Sequence, residues 1–311
     1  MTAGTAFSPD SRFLVHPIYL GSADHPFALG PDGEGPALRW VVSRVDDGSA
    51  VLAVEWAPEE GRKLYPLNVT FEDSANLAVF VLLKPFGRTT GCSLELRRVA
   101  FPGGETVRVA EATWGCEFLL QSECLYHPET HTAVVREQGG GVYLWRIPGE
   151  PQLLLPLPQL EGALREGERL GPVNPPLWGR GDGTLTYAAY WITNREGRAG
   201  LAWSIGAGGE AEFLGRTDLG NVLSLAPSPD GNHWAVVVQQ KRVDRRGRRQ
   251  EDIYVTDAHF GEPRLLVRNG GWPVWTPDGR RVIFRRRDTE VWEVDVKSGQ
   301  ERKIADAPQL K

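Results

Sequence analysis

The amino-acid sequence predicts an all-β protein, and three observations lead to this prediction. A turn recurs six times along the 311 residues, each repeat holds four short apolar runs, and no stretch of ten residues shows helical periodicity. The first residues of the six copies are Phe7, Phe71, Tyr126, Trp178, Pro227 and Trp275. The steps between them are 64, 55, 52, 49 and 48 residues. A period near 50 residues over a whole chain is typical of a repeat architecture.

The turn has a defined chemistry. Its clearest copy is Trp275-Thr276-Pro277-Asp278-Gly279, and the run Val282-Ile283-Phe284 follows it. Proline fixes φ at the first turn position, aspartate bonds its own backbone, and glycine accepts a positive φ. Phe7-Ser8-Pro9-Asp10 and Pro227-Ser228-Pro229-Asp230-Gly231 keep this chemistry, whereas the copies at Phe71, Tyr126 and Trp178 keep only part of it.

The four runs of each repeat, A to D, are predicted to be β-strands. They are short, rich in Val, Ile, Leu and aromatic residues, and bounded by Gly, Pro and Asp. The first three repeats place them at 2–7, 12–20, 37–45, 49–57; 64–71, 76–84, 93–101, 105–111; and 117–126, 131–137, 142–147, 152–157. The last three place them at 176–178, 184–193, 200–206, 210–215; 222–227, 233–240, 252–258, 263–268; and 273–275, 282–284, 290–296, 300–305. The segment 158–170 is expected to hold one helical turn at most, because Gly162 and Gly167 interrupt it.

Six four-stranded units cannot each bury two sheet faces alone, but a radial arrangement lets every sheet pack on its neighbours. The predicted fold is therefore a six-bladed β-propeller of four-stranded antiparallel blades in one domain, 1–311. Eleven tryptophans suit such sheet-on-sheet packing. The predicted blades cover approximately 1–57, 64–111, 114–157, 172–215, 221–268 and 272–306.

The last repeat resembles the TolB-like, WD-type propeller repeat. The segment that carries the resemblance is Trp-Thr-Pro-Asp-Gly-Arg-Arg-Val-Ile-Phe, followed by Glu-Val-Trp-Glu-Val-Asp, within 275–295. Repeats 1, 5 and 6 match the pattern well and repeats 2, 3 and 4 match it loosely. The resemblance implies the propeller fold and carries no catalytic residue over to this chain.

Composition excludes several classes of function. The formal net charge of −5 gives no argument for nucleic acid or an anionic membrane as a partner. The first ten residues lack the pattern of a signal peptide, and no apolar stretch is long enough to span a membrane. The three cysteines are sparse and odd in number, and Cys116 and Cys124 would lie roughly 26 Å apart on one strand, too far to bond. A cytoplasmic location is therefore expected.

A cluster of arginines is the main candidate site. Lys241–Arg249 holds six positive charges and one negative, and the equivalent connection of repeat 6 holds three arginines. Both connections join runs B and C, so we expect them on the same rim of the propeller, on the face that carries the B–C and D–A loops. The cluster predicts binding of an anionic partner, although a solvated hairpin tip explains the charge and is the interpretation we favour. The candidate residues are Arg242, Arg245, Arg246, Arg248, Arg249, Arg285, Arg286 and Arg287.

Other chemical signals are weak. His127 and His131 straddle a turn and lack the spacing of a metal site, and Asp24 with His25 is an acid–base pair of ordinary kind in the long loop 21–36. Cys92 and Cys116 are interpreted as inert thiols in adjacent blades, with a redox pair as the alternative. The second long connection is 158–175. No catalytic residue, cofactor or metal site is predicted.

The sequence favours a non-enzymatic scaffold that docks a protein partner on its loop-bearing face. The first alternative is a propeller-type hydrolase or lyase with a site at the central channel mouth, because such sites assemble from distant positions. The second is a small-anion sensor that uses the arginine rim. Nucleic acid is an unlikely partner, since no stacking aromatic residue interrupts the arginine run.

Overall fold

The computed structural model confirms the predicted fold class, a six-bladed β-propeller built from small antiparallel sheets. The described residues are 6–8, 10, 12–19, 38–56, 62–85, 92–114, 123–136, 141–171, 177–179, 184–194, 197–243, 247, 249–286 and 290–306. The chain divides into two compact units, Met1–Leu153 and Leu154–Lys311. The prediction of a single domain stays a prediction.

The first unit contains blades 1 to 3, whose strands pair in sequence order. Blade 1 consists of β1 (Ala6–Phe7), β2 (Phe13–Tyr19), β3 (Leu38–Arg44) and β4 (Ala50–Trp56). Blade 2 consists of β5 (Arg62–Phe71), β6 (Asn76–Pro85), β7 (Cys92–Ala100) and β8 (Thr106–Trp114). Blade 3 consists of β9 (Glu123–His127), β10 (Thr132–Arg136), β11 (Val142–Arg146) and β12 (Pro151–Leu155), the last of which reaches the start of the second unit.

The second unit contains a short helix, α1 (Leu157–Gly162), and blades 4 to 6. Blade 4 consists of β13 (Arg169–Leu170), β14 (Trp178–Gly179), β15 (Leu185–Asn194), β16 (Gly197–Gly206) and β17 (Ala211–Thr217). Blade 5 consists of β18 (Asn221–Pro227), β19 (His233–Val243), β20 (Arg249–Asp257) and β21 (Arg264–Arg268). Blade 6 consists of β22 (Gly271–Trp275), β23 (Arg281–Arg286), β24 (Glu290–Asp295) and β25 (Glu301–Asp306).

Strand β13 is the element that the sequence analysis missed. It pairs with one end of β15, Arg169 opposite Thr193, while β14 pairs with the other end, Trp178 opposite Tyr187. Arg169 and Leu170 lie between Gly167 and Gly171, and two residues are too few to show the alternation of apolar and polar side chains that predicts a strand. The long connection 158–175 is therefore ordered in part by α1 and by this pairing, and α1 is the single helical turn that was expected there.

Side chains on both faces of the second strand of a blade are buried. On β6, Ala78, Phe80 and Leu82 pack against blade 3, where Tyr126 and Trp145 belong to the same core cluster. The alternate residues Leu77, Val79 and Val81 pack against Val15 and Val42 of blade 1. Successive residues of β6 thus belong to two different cores, and this is why the strand is almost continuously apolar.

Strand β19 repeats this arrangement in the second unit. Trp234, Val236 and Val238 pack toward blade 4, and Ala235 and Val237 pack toward blade 6. The rings of Trp178, Tyr187 and Phe260 surround Trp234 at centroid distances of 5.9, 5.4 and 5.1 Å. Aromatic residues therefore fill the space between successive sheets, as the sequence predicts.

The recurrent turn has the same hydrogen bonds in blades 1, 5 and 6. The hydroxyl at its second position donates to the aspartate at 2.6 Å in Ser8–Asp10, Ser228–Asp230 and Thr276–Asp278. The same oxygen accepts the backbone N–H five residues later, at 2.9 Å from Phe13 and His233 and at 3.1 Å from Arg281. The hydrogen bond from Thr276 holds the pKa of Asp278 below its ordinary value.

Blades 2 and 3 replace this turn chemistry with a shared polar network. Glu72 accepts two bonds from the Arg98 guanidinium, at 2.5 and 2.8 Å, and the Tyr126 hydroxyl lies 3.5 Å from it. The same hydroxyl lies 3.1 Å from Nδ1 of His131. Burial and the nearby Glu72 carboxylate raise the pKa of Tyr126 to about 12. The contact of Tyr126 with Glu72 therefore joins blade 3 to blade 2.

Two equivalent glycines give a matched test of this packing. Gly231 and Gly279 both have positive φ, +75° and +67°, but only at Gly231 would a methyl group overlap a neighbouring blade, at the Tyr187 hydroxyl. We expect Gly279→Ala to lower the free energy of unfolding by about 1–2 kcal/mol through backbone strain. Gly231→Ala should cost about 1–3 kcal/mol more because it also overpacks the interface.

Denaturant titration of both variants measures the difference between the two glycines. Tyr187→Phe should restore part of the loss in Gly231→Ala and none of the loss in Gly279→Ala. Equal losses at the two glycines would contradict this account of the contact between blades 4 and 5.

Candidate functional site

The predicted arginine cluster lies at the ends of strands in blades 5 and 6. Arg242 is near the end of β19, Arg249 begins β20, and Arg285 and Arg286 end β23. The remaining candidates, Arg245, Arg246, Arg248 and Arg287, lie outside the described residues.

Arg242 is paired with a buried carboxylate. Its Nη2 lies 3.0 Å from Oδ2 of Asp252, whose side chain is 3% exposed. The other carboxylate oxygen of Asp252 accepts the backbone N–H of Asn269 at 3.1 Å. A buried carboxylate is tolerated only when its charge is paired and its oxygens are bonded. Arg242 therefore neutralises Asp252, although half of the arginine side chain stays exposed.

Arg249 belongs to a chain of polar contacts along the same end of blade 5. It donates to Oε1 of Gln239 at 3.1 Å, and that oxygen also accepts from Asn221 at 3.0 Å. Asn221 in turn accepts the backbone N–H of Arg198 in blade 4 at 3.1 Å. This chain links blades 4 and 5 and leaves the Arg249 side chain exposed.

Arg286 lies between blades 5 and 6. Its guanidinium carbon lies 4.6 Å from the ring centroid of Trp292 and 5.2 Å from that of Phe284. Its Nη2 donates to Glu301 at 2.9 Å and to the carbonyl of Arg268 in blade 5 at 3.2 Å. The side chain is 17% exposed, and its Nε is buried without a hydrogen-bond partner. The contacts of the Arg286 guanidinium are therefore made within the protein.

The sequence analysis did not single out the residue that stands out most at this site, Trp272. Its side chain is 70% exposed, the highest value among the large hydrophobic residues of the described chain. Its φ is +56°, a conformation that bulky residues adopt only when the surroundings impose it. An exposed, strained tryptophan is a candidate contact residue.

The segment Asn269–Trp272, which we call the Trp272 turn, is held in place by blade 5. Asp252 accepts from Asn269, and the carbonyl of Glu251 accepts the N–H of Gly270 at 2.9 Å. At Gly270 a methyl group would lie 2.8 Å from Phe284 and from Val267, and at Gly271 it would overlap the Glu251 carboxylate. The glycines thus let the backbone pass close to blade 5 while Trp272 points outward.

The surroundings of the Trp272 turn are apolar and basic. Val274, two residues further on, is 61% exposed, and Val243 at the end of β19 is 57% exposed. Gly271 lies opposite Arg285 in the pairing of β22 with β23. Five basic side chains near the ends of strands in blades 5 and 6 are exposed, whereas three nearby acidic ones are buried or half-buried. The basic residues are Lys241, Arg242, Arg249, Arg268 and Arg285, and the acidic residues are Glu251, Asp252 and Glu290.

The second long connection is fixed to blade 4 by a salt-bridge cluster. Arg216 bonds both carboxylate oxygens of Glu168, at 2.6 and 3.2 Å, and bonds Asp218 at 3.0 Å. Arg165 bonds the other oxygen of Asp218 at 3.0 Å. The hydrogen bond from Arg216 is the main reason that the pKa of Glu168 lies below its ordinary value of 4.5. These charges are paired with one another and serve to hold the connection.

The remaining candidates of the sequence analysis have mixed outcomes. Within the described part of the chain no three His, Cys, Asp or Glu side chains are grouped to hold a metal ion. Asp24, His25 and the rest of the loop 21–36 lie outside the described residues. No helix in the described ranges is long and apolar enough to cross a membrane.

The interpretation of the cysteines as inert thiols is wrong for Cys92, which is disulfide-bonded. Cys124 is a buried free thiol, and burial raises its pKa. The disulfide removes the argument for a reducing compartment that the sparse cysteines had provided.

Comparisons with known proteins identify the fold of this chain but do not show the family to which it belongs. No family model matches the sequence, and no curated protein matches it. Solved structures do match, over almost the whole chain. The chain has the β-propeller fold of these structures.

Three of these structures illustrate how varied the matching proteins are. Oligogalacturonate lyase from Vibrio parahaemolyticus is 14% identical with a TM-score of 0.54, covering 97% of this chain and 76% of that one. The periplasmic gluconolactonase of Pseudomonas aeruginosa is 16% identical with a TM-score of 0.53, covering 98% and 85%. The β-propeller domain of Myceliophteria thermophila Cps50 (Swd1) is 12% identical with a TM-score of 0.55, covering 99% and 87%. Such low identities carry the fold alone.

Asp252 should control the order of the Trp272 turn. Asp252→Ala leaves Arg242 and the Asn269 N–H without their acceptor, so we expect the free energy of unfolding to fall by about 2–3 kcal/mol. Hydrogen exchange at residues 269–272 should quicken. Asp252→Asn keeps an oxygen for Asn269 and should leave that exchange slow. Fast exchange in both variants, or in neither, would contradict the role given to the carboxylate.

The Glu168–Arg216 pair predicts a defined pH dependence. Because the folded pKa of Glu168 is lowered, its carboxylate stabilises the protein above the ordinary value of 4.5 and loses this effect as the pH falls below it. Glu168→Gln should cost about 2 kcal/mol at neutral pH, since both side chains are largely buried.

Denaturation curves across this pH range should show wild type and Glu168→Gln converging in acid. Glu161→Gln, on the exposed side of α1, should follow wild type at every pH. A pH-independent gap between wild type and Glu168→Gln would rule the interpretation out.

Proposed function

We propose that this protein is a non-enzymatic interaction module, similar to TolB-like and WD-type propellers, that docks a protein partner at the Trp272 turn. The observation that carries the proposal is the exposure of Trp272 on a backbone conformation that costs energy to maintain. Tryptophan is enriched among the residues that dominate binding energy at interfaces. Strain of this kind is concentrated at binding and switch regions.

The surroundings of Trp272 have the composition of an interface. Val274, two residues along β22, adds exposed apolar surface, and exposed basic side chains lie at the ends of neighbouring strands. An apolar centre with a polar rim is the usual anatomy of a protein–protein contact. The buried Asp252 and the hydrogen bond at Gly270 fix the turn before a partner arrives, which lowers the entropy cost of binding.

The contacts of the arginines weigh against a small-anion sensor. Arg242 is paired with Asp252 and Arg286 with Glu301, so both guanidinium groups already hold a carboxylate. Arg286 also contacts two aromatic rings and the backbone of blade 5. A small anion held by these two guanidinium groups would have to displace their carboxylates, whereas a protein partner at the Trp272 turn also covers exposed apolar surface and does not depend on these two arginines.

Substitution of Trp272 tests the proposal. Affinity purification from the native host with wild-type protein, followed by quantitative mass spectrometry, should capture a partner that Trp272→Ala loses by about tenfold or more. Phe213→Ala is the matched control, because Phe213 is also an exposed aromatic residue but lies on the outer strand β17. Identical capture by all three proteins would refute the assignment of Trp272.

Trp272→Gly separates binding from stability. Glycine adopts φ of +56° without strain, so this variant should keep the free energy of unfolding or raise it by up to about 1 kcal/mol. It should nevertheless lose the partner as Trp272→Ala does. A partner that still binds Trp272→Gly with wild-type affinity would contradict the proposal.

A further inference from the structure

The charges around the Trp272 turn identify the kind of segment that would bind there. We propose that the partner presents an acidic peptide segment with one apolar side chain, which packs on Trp272 while its carboxylates pair with the surrounding arginines. This inference rests on the proposed function and adds the chemistry of the partner to it.

Charge is distributed unevenly at this end of blades 5 and 6. The acidic residues are already paired: Asp252 is buried beneath Arg242, and Glu301, an exposed residue, is bonded to Arg286. The basic side chains are exposed, among them Arg249, whose hydrogen-bond partner is the neutral Gln239. The sequence between β19 and β20 also holds Arg245, Arg246 and Arg248 with one acidic residue, Asp244, all of which lie outside the described residues. This excess of positive charge contrasts with a chain that carries a net charge of −5.

Carboxylates suit this distribution better than a single phosphate does. The basic side chains come from four strands in two blades, β19, β20, β21 and β23. Guanidinium groups bind carboxylates in a planar, bidentate geometry, and a peptide can place one carboxylate at each of several positions. Basic rims of this kind also raise the rate at which an acidic partner associates.

The exposed apolar surface at Trp272 is the reason that the partner segment needs an apolar side chain. Trp272 and Val274 lie two residues apart on β22, and both are mostly exposed. Covering them removes apolar surface from water, which a purely acidic segment could not achieve. Single-stranded nucleic acid would need successive aromatic platforms, and the other exposed apolar side chains here, Val243 and Val274, are aliphatic.

Selection from a library of short random peptides displayed on phage tests the inference without a known partner. The wild-type protein should enrich peptides in which Asp and Glu flank an aromatic or large aliphatic residue. Fluorescence anisotropy with the synthesised peptides should give about tenfold weaker binding to Trp272→Ala. Arg285→Ser should weaken binding by about two- to fivefold and rising salt should weaken it further, because exposed charge pairs are modest and screened.

Arg280→Ser is the matched control for Arg285→Ser. Arg280 is an exposed arginine of the same blade, but it lies in the turn between β22 and β23, at the opposite end of β23 from Arg285. Its substitution should leave the affinity for the selected peptides unchanged. Equal effects of Arg280→Ser and Arg285→Ser would overturn the inference, because the attraction would then come from net charge alone.

The other outcomes distinguish this inference from the proposed function. Enriched peptides that need Trp272 but lack acidic residues would overturn the inference and leave the docking function in place. A library that yields no peptide dependent on Trp272 would overturn both. Labelled oligothymidylate that binds wild type and loses affinity in Trp272→Ala would replace the acidic peptide with single-stranded nucleic acid.

Discussion

The structure depends on the burial of both faces of the second strand in a blade. Strand β6 gives Phe80 and Leu82 to one core and Val79 and Val81 to another, and β19 divides Trp234 and Val237 in the same way. A four-stranded sheet of this size cannot shield two apolar faces by itself, so each blade is stable only against its neighbours. The contact of Tyr126 with Glu72 also links adjacent blades, whereas the hydroxyl–aspartate turns act within a blade.

The repeats show two solutions to the same local problem. Blades 1, 5 and 6 close the turn between their first and second strands with a hydroxyl–aspartate pair inside the turn. Blades 2 and 3 use Glu72, Arg98, Tyr126 and His131, and the contact of Tyr126 with Glu72 joins the two blades. The hydroxyl–aspartate pair lies within one turn and leaves a recognisable motif in the sequence. The network around Glu72 depends on residues that are distant in the sequence. This difference explains why some repeats match the pattern well and others only loosely.

The candidate site depends on the same inter-blade constraint. Asp252 on β20 of blade 5 and Phe284 in blade 6 confine the Trp272 turn, so the strained conformation of Trp272 is imposed by packing. Arg286 contributes from inside, bridging Glu301 and the backbone of blade 5. The arginines that looked equivalent in the sequence therefore differ in role: Arg286 is structural, Arg242 neutralises a buried carboxylate, and Arg285 lies opposite Gly271 beside the exposed tryptophan.

The sequence by itself determined the strands, their order and the fold class, because strand alternation and Pro-Asp-Gly turns are properties of neighbouring residues. It also indicated the end of the protein where the arginines lie. Only the tertiary structure decided that Arg286 packs on Phe284 and Trp292, that Trp272 is exposed, that Cys92 is disulfide-bonded and that Arg169–Leu170 forms a strand. These properties depend on which residues of other strands and blades approach each side chain, and a local pattern in the sequence does not record that approach.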